Sequence, residues 1–302
     1  MNMKFVLLSD MHLMQSTPEA RKDDIISTQF RKLEFVLNYA KSHGCAILQA
    51  GDFFDKPRSW FLLPKVIDLL LLLDVEIYAC FGQHDMYLYS ETTNASTSLG
   101  VLEKSGLVSI LGDKPIVVGD VHIYGASWGL DVPQVQDSGK VNILVTHRSI
   151  GCVPLFFGHE YTDALTFLQK HVDYDVILAG DIHRKTYVES GSRYFVNTGP
   201  LTRITAEQYN FKHTPGFFVF DVSKTPLIEW VDVPCEASDS VLSREHIEKA
   251  NAIDSKLNEF IASVLDSGVV ADDSLQETIQ MLINEIDPGQ TVIDVLSDVM
   301  GG

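Results

Sequence analysis

Hydrophobic positions follow two alternating rhythms over the first 233 residues. Residues 4–9 and 45–50 are short apolar runs of strand length, and between them Ile26, Phe30, Leu33, Leu37 and Ala40 recur every three or four positions, as on one face of a helix. Strand, helix and strand in that order predict a parallel pair joined by a crossover. The rhythm repeats with a helix over 62–73, a strand over 75–81, a helix after Asn94-Ala95-Ser96 and a strand over 107–111. A hairpin is predicted from 116–118 and 121–124, turning at Gly119-Asp120. Strands over 141–146 and 176–179 flank a helix whose inner face is expected to carry Tyr161, Leu165, Leu168 and Val172. Strands over 186–189, 194–196, 217–221 and 227–233 complete an α/β domain, its β-sheets flanked by helices, over residues 1–233.

The polar stretch 234–240 reads as a linker, and beyond it the rhythm is helical only. Ile247, Ala250, Leu257, Ile261 and Val264 form one stripe, Leu275, Ile279, Leu282 and Ile286 a second, and Val292, Leu296 and Val299 a third, with Pro288-Gly289 between the last two. Residues 234–302 are therefore expected to be a small helical region, a reduced cap or a docking segment for a partner. No phosphate-binding G-x-x-x-x-G-K-[ST] loop occurs, so any ATP hydrolysis would come from another chain.

Composition narrows the class. With 302 residues, 45% hydrophobic and 21% charged, the chain can bury a large core and is not a disordered polymer. Its 23 Lys+Arg against 41 Asp+Glu give a net charge of -18, which argues against a protein that grips nucleic acid by bulk charge. Cys45, Cys80, Cys152 and Cys235 are too widely spaced for a zinc or redox pair and read as free thiols in a reducing compartment. The N-terminal apolar run meets Asp10 at strand length, and no apolar run approaches the roughly 20 residues of a membrane span. A soluble, cytoplasmic protein is expected.

Asp, His or amide side chains stand just past the ends of predicted strands in five places. These are Asp10-Met11-His12, Gly51-Asp52, Gly82-Gln83-His84-Asp85, His147 after VNILVT, and Gly180-Asp181-Ile182-His183. In an open α/β sheet the loops past the carboxyl ends of the strands meet on one edge, so five distant segments are expected to converge. Carboxylate and imidazole suit divalent transition metals, and the neighbouring glycines allow tight turns. Two metals about 3.5–4 Å apart, bridged by a carboxylate, clamp the attacking and leaving oxygens of a phosphoester. Hydrolytic phosphoryl transfer is the reaction class that follows. Taken singly, each segment has an ordinary reading, a buried Asp capping a helix; five in this order, each after a strand, do not.

The order resembles the calcineurin-like metallophosphoesterase signature D-x-H, G-D, G-N-H-[DE], H, G-H-x-H. LSDMHL, LQAGDFFDKP, TTNASTSLG, YGASWG and NTGPLTR followed by GFFVFD are similar, more narrowly, to the SbcD-type exonuclease subunit of recombination nucleases in its short phage form, over residues 4 to 221. The resemblance implies one metal held by Asp10, His12, Asp52 and His183, and a second by bridging Asp52 with His147, Gln83 and Asp181. It also implies that His84 protonates or stabilises the leaving alkoxide while Asp85 orients its ring. Two positions depart from the signature: its Asn is Gln83 here, and its first His of G-H-x-H is Asp181. Both fall at the second metal, so one coupled change toward an oxygen-richer site is expected, favouring Mn²⁺, or Mg²⁺, over Zn²⁺. A second site that fills only with substrate is the alternative.

Lys56, Arg58, Arg148, Arg184 and Arg203 follow the motifs closely. They suit phosphate contact, or equally a solvated surface. Gly158-His159-Glu160 imitates the last motif, but Tyr161 stands where its second His should be, and His159 is expected at a helix start. The resemblance implies a DNA nuclease subunit, a 3′ to 5′ exonuclease on duplex ends with endonuclease activity, working with a coiled-coil SbcC-type ATPase in recombination and repair. It further implies a homodimer through helices near the second and third motifs, here 62–73 and the one after Asn94. The same metal core also suits a phosphatase or cyclic-nucleotide phosphodiesterase, and Gln83 with Asp181 would suit a non-catalytic scaffold.

The charge is unevenly spread. From Glu236 onward there are 14 acidic and 3 basic residues, net -11, leaving net -7 on the first 235. Two bound divalent ions would bring that part to about -3, so acidity does not exclude a DNA substrate; it predicts weak binding without metal or partner.

Overall fold

The computed structural model describes residues 3–136, 141–223 and 227–245, together with 247–249, 251 and 255. The first half of the chain runs β1 (Lys4–Leu8), α1 (Ile25–His43), β2 (Cys45–Gln49), α2 (Leu63–Leu73), β3 (Ile77–Ala79), α3 (Ser98–Lys104) and β4 (Ser109–Ile110). Strands β1 to β4 lie side by side and parallel, as the crossovers require. The second half runs β5 (Ile116–Val118), β6 (Val121–Ala126), β7 (Val141–His147), β8 (Ile150–Gly151), β9 (Thr162–Asp163), α4 (Ala164–Lys170), β10 (Val176–Gly180), β11 (Thr186–Ser190), β12 (Arg193–Asn197), α5 (Gln208–Lys212), β13 (Gly216–Asp221), β14 (Leu227–Asp232) and α6 (Ser238–Val241).

These strands form two six-stranded sheets, ordered β14-β13-β1-β2-β3-β4 and β11-β12-β10-β7-β6-β5. Each is parallel in its centre with antiparallel strands at an edge. The unbroken apolar runs have a direct cause: the central strands are covered on both faces. In β1, Phe5 and Leu7 face the second sheet, where they meet Ile143, Val145 and Leu178, while Val6 and Leu8 pack with Phe30, Leu37 and Val66 from α1 and α2. In β10, Val176 and Leu178 join the layer between the sheets, and Ile177 and Ala179 pack with Phe167 and Leu168 of α4. The order of layers is helix, sheet, sheet, helix.

Helix α1 starts where the Asp24 carboxylate accepts the N–H groups of Ile26 and Ser27, and it stops at Gly44, whose φ of 63° is the left-handed turn a glycine takes without strain. Helix α4 departs from expectation. Asp163 caps it by accepting the Thr166 N–H, so the helix begins at Ala164 and buries Ala164, Phe167 and Leu168, leaving Leu165 exposed. Tyr161 and Val172 lie outside it altogether. The predicted face is out of register because the cap sets where the helical period begins.

The chain divides into two compact units, Met1–Leu242 and Ser243–Gly302. Residues 234–242 are bound into the first: Lys22 N–H donates to Val241 O, and Arg203 donates to Cys235 Sγ and Glu236 O. The three stripes expected over 247–299 fall, apart from residues 247–249, 251 and 255, outside the described residues. Among the described residues no helix is long and apolar enough to cross a membrane.

Candidate metal centre

All five motif segments meet where the carboxyl ends of β1, β2, β3, β7 and β10 come together. One sheet alone does not build this edge. Past their strands, β1 and β2 continue as paired loops, with His12 N–H donating to Asp52 O at 2.9 Å and Leu13 N–H to Phe53 O at 3.0 Å. The second sheet is tied on by His147 Nδ1–H, which donates to Ala50 O at 2.6 Å, and by Asp181 N–H, which donates to Asp10 Oδ1 at 2.9 Å. Ser9, Asn197 and Thr198 lock the same junction, with Asn197 Nδ2 donating to Ile182 O at 2.9 Å.

Four of the expected ligands have left-handed backbones: Asp10 (φ 48°), His12 (φ 44°), Asp52 (φ 52°) and Asp181 (φ 84°). Non-glycine residues hold this conformation at a cost of order 1 kcal/mol each, and such strain collects where side chains must be aimed. Gly82 has its own reason to be glycine, since a Cβ there would run into the Asp52 carboxylate.

The aimed side chains form three overlapping groups: Asp10, His12 and His183; His12, Asp52 and His84; Asp10, Asp52 and His147. Asp52 Oδ2 lies 3.5 Å from His12 Nε2 and 3.3 Å from His147 Nε2, and Asp10 Oδ1 lies 3.7 Å from His183 Nε2. Asp10 Oδ2, Asp52 Oδ2, His147 Nε2 and Gln83 Oε1 are buried without a hydrogen-bond partner. Buried polar atoms are normally satisfied, so a cluster of unsatisfied donors of electron pairs fits a cation. With Nδ1–H committed to Ala50 O, His147 turns its Nε2 toward Asp52, and once deprotonated there it would offer a lone pair as a metal-ligating imidazole does.

The electrostatics are those of a site that needs positive charge. Burial pushes the Asp10 carboxyl up to about 6. Burial opposes a charge on His147, yet Asp52 and Asp10 push it up to about 10. Burial would also raise Asp52, but His147 and His12 hold it below the usual carboxylate range. A proton on His147 does here, in part, what a divalent ion would do better.

Gln83 and Asp181, the two departures from the signature, touch: Gln83 Nε2 donates to Asp181 Oδ1 at 2.8 Å. Asp181 belongs to none of the three groups above. His84 is exposed, its Nδ1–H donates to Asp55 O at 2.9 Å, which leaves Nε2 for another partner, and its ring stands edge-on to that of His12 with centroids 4.8 Å apart. The expected role of Asp85 needs correction. Its carboxylate does not hold the His84 ring; it accepts the backbone N–H groups of Phe53, Phe54 and Gly82 and so fixes the loops on which Asp52 and His84 stand. Asp55, which the motifs leave out, orients His84 through its carbonyl and has its carboxylate 3.7 Å from His12 Nδ1. Its place in LQAGDFFDKP is the available signal.

The basic residues separate. Lys56 and Arg58 are exposed, and Arg58 lies over the Tyr87 ring at 4.4 Å. Arg148 lines a cleft of about 560 Å³ with Trp128, His147, Tyr161 and Asp181, and one of its guanidinium N–H groups meets Leu130 O. Arg184 stands over Tyr209. Arg203 is removed from the phosphate-contact set: it is buried, and its donors go to His213 O, Glu236 O and Cys235 Sγ. His159 starts no helix; it bridges Ser149 Oγ and Leu155 N–H within a loop.

With this geometry in place, residues 3–225 match the calcineurin-like phosphoesterase superfamily domain, and the chain belongs to that superfamily. Within it, the chain is similar to the DNA double-strand break repair protein Mre11 of Methanosarcina mazei, 26% identical over 219 residues, 66% of this chain and 33% of that protein. Mre11 of Haloferax volcanii is 26% identical over 180 residues, 54% of this chain and 37% of that one. The matched region thus spans about a third of these relatives' length. The crystal structure of TT1561 of Thermus thermophilus shares the fold, with a TM-score of 0.50 at 11% identity, covering 78% of this chain and 100% of that one.

Proposed function

We propose that this chain is the nuclease subunit of a DNA-end-processing complex, hydrolysing DNA phosphodiesters at two divalent ions, Mn²⁺ or Mg²⁺. The observation that carries the reading is the cluster of buried, unpartnered ligand atoms around Asp52, in a chain similar to Mre11 over two thirds of its length. Asp10, His12, Asp52 and His183 would hold one ion, and Asp52, His147, Gln83 and Asp181 the other. Bound there, such ions polarise the phosphate and supply a nucleophilic water at neutral pH. His84, fixed through Nδ1 by Asp55, presents Nε2 to exchange a proton with the leaving oxygen. Lys56, Arg58, Arg148 and Arg184 would hold the DNA backbone.

A 3′ to 5′ exonuclease on duplex ends, with endonuclease activity, is the specific form of this reading. The partners proposed are a coiled-coil SbcC-type ATPase and a second copy of the chain meeting it through α2 and α3, in the cytoplasm. Residues 234–302 are the proposed docking segment, with the nuclease domain over 1–233. One comparison tests the reading: hydrolysis of linear duplex DNA and of a small phosphodiester with Mn²⁺, for the native chain and for His84→Ala. Both substrates should be cut, and both activities should fall in the variant. Cleavage of the small ester alone would favour a phosphatase or cyclic-nucleotide phosphodiesterase; no cleavage of either, with the ATPase present, would favour a scaffold.

A further inference from the structure

Directly after His84 and Asp85 the chain turns out to solvent and presents three large apolar side chains in succession. Tyr87, Leu88 and Tyr89 are 40%, 76% and 68% exposed, while Met86 before them is buried. Leu88 (φ 54°, ψ 28°) and Tyr89 (φ 54°) are both left-handed, a conformation that is an outlier for bulky residues. The turn is closed by Thr93, whose Oγ1 accepts the Tyr87 N–H at 3.2 Å and lies 2.8 Å from Tyr87 O, and by Ser90 N–H donating to Tyr87 O at 3.3 Å. These side chains are therefore displayed on a fixed support.

We infer that Tyr87, Leu88 and Tyr89, with Trp128, form a stacking ledge for unpaired bases of the DNA beside the metal centre, an inference that rests on the nuclease reading above. Two relationships select nucleic acid as the occupant. First, the Arg58 guanidinium lies 4.4 Å over the Tyr87 ring, and among the described residues Arg58 forms no ion pair, so a cation for phosphate stands in register with a ring for a base. Second, the rings lead to the chemistry: Tyr89 is 5.7 Å from Trp128, and Trp128 lines the cleft that also holds His147 and Asp181. The backbone of Trp128 is itself anchored, its main-chain N–H donating to Phe81 O at 2.9 Å just past β3. A ledge of this kind reads no sequence, because every base has a face to stack. It would hold a frayed strand so that the phosphate next along reaches the ions.

The test compares two phosphorothioate-linked oligonucleotides of equal length, one of thymidines and one abasic, bound by the full chain with Mn²⁺. The base-bearing strand should bind about tenfold tighter, in the range of stacking on an aromatic residue. Tyr87→Ala with Tyr89→Ala, and separately Trp128→Ala, should erase that preference while Tyr89→Phe keeps it; unchanged Mn²⁺ content and unfolding temperature serve as the check on folding. Equal binding of the two strands by the native chain, or a preference that survives both alanine variants, overturns the ledge. If the native chain cuts DNA yet shows no base preference, the ledge alone fails; if it cuts only a small diester, the nuclease reading fails with it.

Discussion

His12 Nε2 and His183 Nε2 face each other at 2.9 Å, with Asp10 Oδ1 3.7 Å from the latter. At that distance one imidazole donates to the other, and a cation placed between them would replace this single hydrogen bond by two ligand bonds, one to each Nε2 lone pair. Mn²⁺ should therefore stabilise the fold: at about 100 times its dissociation constant a ligand of the folded state alone adds about 2.7 kcal/mol. A clear rise in unfolding temperature with Mn²⁺, reversed by chelator and absent in His12→Ala with His183→Ala, is the expected result. An unfolding temperature indifferent to Mn²⁺ would mean that these residues do not form a metal site.

His84 and Asp85 are sequence neighbours with separable roles. His84→Ala removes an exposed ring and should lower kcat by about 10²–10⁴, the usual range for a general acid or base, with little change in stability. Asp85→Ala leaves the N–H groups of Phe53, Phe54 and Gly82 without their acceptor. Unsatisfied buried donors cost about 1–3 kcal/mol each, so this variant should lose several kcal/mol by denaturant unfolding and bind Mn²⁺ more weakly. If Asp85→Ala instead matched His84→Ala, slow and fully stable, the carboxylate would be acting on the ring after all.

The division between these two residues also marks what can be read from sequence. Strand-end positions of Asp10, Asp52 and His147 follow from apolar runs alone, because a strand covered on both faces is apolar until it leaves the core. That the runs belong to two stacked sheets, with Phe5 and Val6 facing opposite layers, does not follow, since a continuous run hides which neighbour each side chain meets. Roles carried by backbone groups are equally hidden. The Asp55 carbonyl that orients His84 has no residue type to betray it, and Asp85 resembles a ring partner only because adjacency in sequence says nothing of where a carboxylate points. Arg203 misleads for the converse reason, being close to a motif in sequence but turned into the junction with residues 235 and 236.

Gln83 and Asp181 hydrogen-bond to each other, which gives the coupled departure from the signature a measurable consequence. If they serve one ion together, the native chain should bind two Mn²⁺ and either Gln83→Ala or Asp181→Ala should bind one. The double variant should then do no further harm, since residues in direct contact lose their effects non-additively. Metal analysis after equilibration with Mn²⁺ decides this. One ion per chain in the native protein, even with a nucleotide present, would rule out the shared second site.

Lys32, which is not among the proposed ligands, carries a testable cost. It is buried in α1, its Nζ donates to Leu201 O at 2.9 Å, and burial, with Arg203 and Arg21 nearby, brings its pKa down to about 8 from the ordinary 10.5. The folded state therefore resists protonation that the unfolded chain accepts. Above pH 10.5 both states are neutral and nothing is lost; as pH falls from 10.5 to 8 the unfolded chain gains a proton first and stability declines; below 8 the penalty is constant. At about 1.4 kcal/mol per pKa unit the full penalty is roughly 3 kcal/mol, offset in Lys32→Met by about 1 kcal/mol for the lost bond to Leu201 O. Lys32→Met should thus be more stable than the native chain at pH 7 by about 2 kcal/mol; as pH rises above 8 the advantage should shrink, pass through zero before pH 10.5 and end as a deficit of about 1 kcal/mol, the lost bond alone. Denaturant unfolding of both proteins across pH 7 to 10.5 measures it, and a difference that stayed constant over that range would show that Lys32 is charged at no cost.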